Sequence, residues 1–144
     1  MSPSPRTRTE LYFSSRFESP PQGVVFMPGR VVLLGEHVDH QGGRILAAPT
    51  PQGVYVAWGI RPDHRIRLHA LNARGTDRFD PGLPDRSGRR WADLARGACA
   101  RFTQDGRRLP GLDLAVFGDL PTQSGLASSA AYRRITWRAV CRNG

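Results

Sequence analysis

The sequence contains no lysine: all 21 of its basic residues are arginine. A phosphate-binding loop of the GxxxxGK[ST] kind is therefore excluded, and any contact to phosphate must come from guanidinium or backbone N–H groups. Cysteine is nearly absent as well, with only Cys99 and Cys141, too few for a disulfide framework. Together with Met1–Glu10, which lack an apolar stretch, this sets the expectation of a reducing, cytoplasmic setting. No window approaches the run of roughly 18 apolar residues that a membrane span requires, so no membrane partner is expected. Acidic residues are scarce too: 12 Asp and Glu leave a formal net charge of +9. That charge raises nucleic-acid binding as a rival function, for which steep salt dependence would be the mark. The arginines are scattered from Arg6 to Arg142, however, and the bias against lysine reads as a coding bias, so no nucleic-acid partner is expected.

What is present is enough for one domain. The 144 residues are 39% hydrophobic and include 12 aromatics (3 Trp, 3 Tyr, 6 Phe). Residues 1–22, rich in Ser, Pro and Arg, read as a loose arm and first turn. Val24–Met27 and Val31–Leu34 read as two strand-length runs parted by Pro28-Gly29. Val54–Ile60 and Arg65–Leu71 follow as an expected hairpin, and Asp77–Arg90 as a loop. Trp91, Leu94, Ala95, Ala98, Cys99 and Phe102 share one face of a helix. Leu112, Leu114 and Val116 alternate as a strand, and Ser128–Val140 suits a last helix. The fold class expected is α+β in one unit.

Two segments carry chemistry. Pro28–Gly43, PGRVVLLGEHVDHQGG, delivers Glu36, His37 and Asp39 from an apolar run into a glycine-bounded loop. Two carboxylates and an imidazole suit the donor and acceptor pattern of sugar hydroxyls, though a polar surface turn has the same composition. His37, Asp39 and His40 form no standard zinc spacing. Gly118–Ala131, GDLPTQSGLASSAA, is a small-residue loop leading into a helix, where N–H groups and the positive helix end can hold phosphate. An ordinary helix cap at Ser128 or Ser129 would look the same.

Taken together, the segments resemble the first and second motifs of the GHMP kinases, and within them the galactokinase signature G-R-x-N-[LIV]-I-G-[DE]-H-x-D-Y. Gly29, Arg30, Gly35, Glu36, His37, Asp39 and the following Gly42-Gly43 match it. LPTQSGLASSAAY resembles P-x-G-x-G-L-[SG]-S-S-A, and Trp91–Gly97 is similar to a W-x-x-Y-x-x-G helix of galactokinases. Val32, Val38, His40, Gln41, Gln123 and Ala127 depart from these patterns. The resemblance implies an N-terminal GHMP half with a mainly antiparallel mixed sheet and flanking helices, spanning 23–132. It implies ATP-dependent phosphorylation of galactose at the C1 hydroxyl. Glu36, His37 and Asp39 would grip the sugar, and Arg30 would also stabilise the charge that develops in transfer. Ser124, Gly125, Leu126, Ala127, Ser128 and Ser129 would wrap the phosphates of ATP, with Ser129 a ligand of Mg2+. Residues 133–144 read as an atypical basic tail left by a truncation or frameshift, and the family's catalytic Asp and C-terminal domain are not found in these 144 residues. The expectation is a chain inactive alone. The alternatives are a non-catalytic galactose-binding pseudokinase or sensor, or another GHMP sugar kinase.

Overall fold

The computed structural model describes residues 2–35, 42–72, 75–82, 85, 87–88, 90–104, 106–121, 135 and 138. Residues 5–17, expected as part of a loose arm, instead form a helix, α1 (Pro5–Phe17). Ser4 caps it, its hydroxyl accepting the Thr7 N–H at 3.2 Å, and Pro5 occupies the first turn, where no N–H is needed. Thr9, Phe13 and Phe17 recur at i, i+4 and i+8 and are all buried. The helix ends at Glu18 in the left-handed conformation, whose N–H bonds to the Ser14 carbonyl.

Among the described residues, five strands make a single sheet: β1 (Gly23–Leu34), β2 (Leu46–Arg61), β3 (Ile66–Ala70), β4 (Gly75–Phe79) and β5 (Gly111–Gly118), with α2 (Arg90–Gln104) between β4 and β5. Their order is β1-β2-β5-β3-β4, and every pair is antiparallel except β3 with β5. The two expected runs around Pro28-Gly29 are thus one strand. Proline is tolerated there because β1 lies at an edge of the sheet and the register slips between Pro28 and Arg30.

The expected hairpin of β2 with β3 does not form. β5 lies between them, antiparallel to β2 and parallel to β3. The reason is burial: Gly111–Phe117 are buried without a break, so this strand needs neighbours on both edges and cover on both faces. β3 pairs instead with β4, which falls partly in the stretch expected as a loop.

A helix covers each face of the sheet. On one side Ala92, Ala95, Cys99 and Phe102 of α2 meet Val54, Val56, Ile66, Leu68, Leu112 and Leu114. On the other, Phe13 and Phe17 of α1 meet Ala57 and Ala115. The helical face expected from Trp91 to Phe102 is the one that packs. The last expected helix, 128–140, lies outside the described residues apart from residues 135 and 138, both helical. Among the described residues, no helix is long and apolar enough to cross a membrane.

Cys99 is fully buried as a free thiol, and burial pushes its pKa up to about 12. Reaction requires the thiolate. Cys99 is therefore expected to stay unmodified by maleimide in the folded chain at pH 8 and to react once denaturant unfolds it, read by peptide mass. Labelling at Cys99 without denaturant would contradict this packing.

Candidate functional site

Both chemistry-bearing segments run to the same end of the sheet. The first arrives on β1. Pro28 pairs with Gly53 and Arg30 with Pro49, and the register slip between them re-aims the strand at Arg30. Arg30 is half-buried, and its Nε is buried with no hydrogen-bond partner among the described residues. An unmet buried donor costs about 1–3 kcal/mol, so this position is suited to an acceptor brought by something else. The strand leaves through Gly35 at φ +82°, where a Cβ would lie 2.3 Å from the Arg44 carbonyl oxygen. Only glycine fits that crossing.

The second segment arrives on β5. Its strand end is fastened from both neighbours. The Asn72 side chain donates to the Gly118 carbonyl at 2.8 Å and accepts the Gly118 N–H at 3.0 Å. On the other side, the Asp119 carboxylate accepts the Gly53 N–H at 2.6 Å, and the Asp119 N–H donates to the Gly53 carbonyl at 3.1 Å. Gly53 also faces Pro28 of β1, and a Cβ on it would lie 2.2 Å from the Met27 carbonyl oxygen. The Pro28–Arg30 corner and the root of the second segment are thus two strand spacings apart, roughly 10 Å. Tyr55 lies beside this root, its hydroxyl pKa raised by partial burial and by the Asp119 charge.

Of the expected site residues, only Arg30 is among those described. Glu36, His37 and Asp39 lie outside them, as do Ser124, Gly125, Leu126, Ala127, Ser128 and Ser129. Asn72, Asp119 and Gly53 had no sequence signal, because their bonds join residues 46 and 66 positions apart. Among the described residues, no three His, Cys, Asp or Glu side chains converge to hold a metal ion.

The fold is that of the GHMP kinases: mevalonate kinase from Methanococcus jannaschii superposes with TM-score 0.68 at 18% identity, covering 85% of this chain and 41% of that one. The sequence itself is similar to galactokinases over most of its length. Residues 12–60 match a family model described as the galactokinase galactose-binding signature. Galactokinase from Clostridium perfringens is 32% identical over 127 residues, 85% of this chain and 33% of the relative. That from Chloroflexus aurantiacus is 36% identical over 120 residues, 83% of this chain and 31% of the relative. A crystal structure of Lactococcus lactis galactokinase complexed with galactose matches with TM-score 0.79 and 27% identity, covering 90% of this chain and 35% of that one. The chain spans about a third of the length of these galactokinases. The signature begins inside α1, so the segment expected as an arm carries part of the family pattern.

Proposed function

We propose that this chain supplies the sugar-gripping and phosphate-gripping portion of an ATP-dependent kinase that phosphorylates galactose at its C1 hydroxyl. The observation that carries this reading is the match of residues 12–60 to the galactose-binding signature, with Arg30 of that signature holding a buried donor that no described residue meets. Glu36 and Asp39 accept hydrogen bonds from sugar hydroxyls, and His37 adds an imidazole to the same grip. Arg30, always charged and donor-only, stabilises the oxygen that becomes anionic as the phosphoryl group moves. Residues 124–129 offer backbone N–H groups to the phosphates of ATP, without the lysine that other kinases use. Magnesium, which neutralises the phosphates in such transfers, would take the Ser129 hydroxyl as a ligand. A free buried thiol at Cys99 suits a reducing, cytoplasmic setting.

Val31, Leu33, Leu34 and Leu46 lie within the matched signature and are 38–68% exposed. Galactokinases about three times as long have further chain available to cover such a strip, and we assign it to the C-terminal kinase domain.

The test is galactose titration of the chain by calorimetry. Replacing Asp39 by Ala removes a charged acceptor worth about 1.5–3 kcal/mol, so affinity is expected to fall about 10–150-fold with the circular dichroism spectrum unchanged. Equal affinity in the folded D39A variant would overturn the assignment.

A further inference from the structure

The opposite edge of the sheet holds a second polar cleft. β4 is the edge strand there, four strands from Arg30, roughly 19 Å by strand spacing. A cleft of about 490 Å³ opens beside it, lined by Arg67 and His69 of β3, by Thr76, Asp77 and Arg78 of β4, by Ser87 and by Arg96 of α2. Three guanidinium groups thus meet one carboxylate on its walls.

Two of the arginines are held by ion pairs. Arg96 is committed: it grips Asp77 through Nε and Nη2 at 2.7 and 2.9 Å and donates from Nη1 to the Asp85 carbonyl. Arg67 grips the buried Asp113 through Nε and Nη2 at 2.6 and 2.7 Å and stacks on Phe17, which leaves its Nη1 without a hydrogen bond among the described residues. Arg78 is different. Its side chain is 56% exposed, and its ion pair among the described residues is a long one, 3.9 Å to Asp63, which Arg61 already holds.

The register places Arg67 directly opposite Arg78, and His69 directly opposite Thr76. Like charges paired across strands repel. Asp113 answers Arg67, and nothing of comparable strength among the described residues answers Arg78. His69 sits within this field against the Phe17 ring, its Nδ1 buried and without a partner among the described residues. Burial first, and then the charges of Arg16 and Arg67, outweigh the opposing pull of Asp113 and lower its pKa.

We propose that the cleft between Arg67 and Arg78 is a binding site for a small phosphate dianion, either free phosphate or the head of a phosphate monoester. The Arg67 Nη1 and the Arg78 guanidinium would clamp its oxygens in the planar fork geometry that suits phosphate. A volume of about 490 Å³ also leaves room for a small organic group behind the phosphate. The site lies at the sheet edge opposite Arg30 and does not depend on the kinase reading.

The experiment is NMR titration of the labelled 144-residue chain at constant ionic strength, once with inorganic phosphate and once with glucose 1-phosphate. Saturable shifts at Arg67, His69, Thr76 and Arg78 are expected. The Arg78→Gln variant should bind at least 10-fold more weakly with an unchanged melting temperature, and Arg78→Lys should recover part of the loss. Tighter binding of the ester would mark an organic phosphate as the ligand, and equal binding would mark the free ion. Absence of saturable shifts at these residues would overturn the proposal. So would an affinity unchanged in Arg78→Gln.

Discussion

Phe13→Ala is expected to destabilise the chain by about 3–5 kcal/mol, the cost of emptying a well-packed aromatic site. Phe13 is 1% exposed, its ring 4.6 Å from that of Phe17 and close against the backbone of Gly59, where an added Cβ would come within 3.1 Å of the ring. Gly59 thus makes the room that Phe13 fills, and a collapse of β2 to close the cavity would break its pairing with β5. Single domains are stable by only about 5–15 kcal/mol, so this one side chain holds a large share of the total. At about 3–4 °C per kcal/mol for a chain of this size, the melting temperature should fall by roughly 10–20 °C. Leu11, on the same helix but 59% exposed, provides the control: Leu11→Ala should change stability by less than about 0.5 kcal/mol. A loss below 1 kcal/mol in Phe13→Ala would mean that α1 is an appendage and not the cover of that face.

That helix shows where reading the residues stops short. α2 was legible because Ala95, Cys99 and Phe102 repeat on one face with little polar interruption. α1 carries a comparable signal, with Ser4-Pro5 at its start and Thr9, Phe13 and Phe17 at helical spacing, yet Ser and Arg between them mask it in composition. Its stripe is thin because the sheet beneath it presents Ala57, Gly59 and Ala115, small residues that let the helix sit close. The strands were legible as segments, the alternation of Ile66, Leu68 and Ala70 above all. Their order was not. Nothing local to β2 and β3 says that β5 will come between them, since that choice is made by the burial of Leu112, Leu114 and Val116 some 45 residues later. The same holds for the site. Motif spacing named Arg30, while the Asn72 and Asp119 clamps depend on a register that only the folded sheet defines.

The 144 residues by themselves are expected to form no galactose 1-phosphate with MgATP above the uncatalysed background, even where galactose binds. A C1 hydroxyl must give up its proton as it attacks, and Arg30 can stabilise the resulting charge but cannot accept that proton. Among the described residues, Asp113 and Asp77 already hold arginines, and Asp119 holds the Gly53 N–H. Glu36 and Asp39 are assigned to the sugar, so using either as the base would loosen the grip that positions the reacting oxygen. The galactokinase resemblance implies a separate catalytic Asp, for which these residues offer no match. A missing base alone is worth roughly 10²–10⁴ in rate, and a magnesium ion left with one hydroxyl, phosphate and water loses its hold on the transferring group as well. Binding and turnover therefore separate: calorimetry should register galactose, while a coupled assay for ADP should stay flat. Galactose-dependent ADP release that disappears in Arg30→Ala would overturn this expectation, because it would require a base and a metal site assembled within the 144 residues.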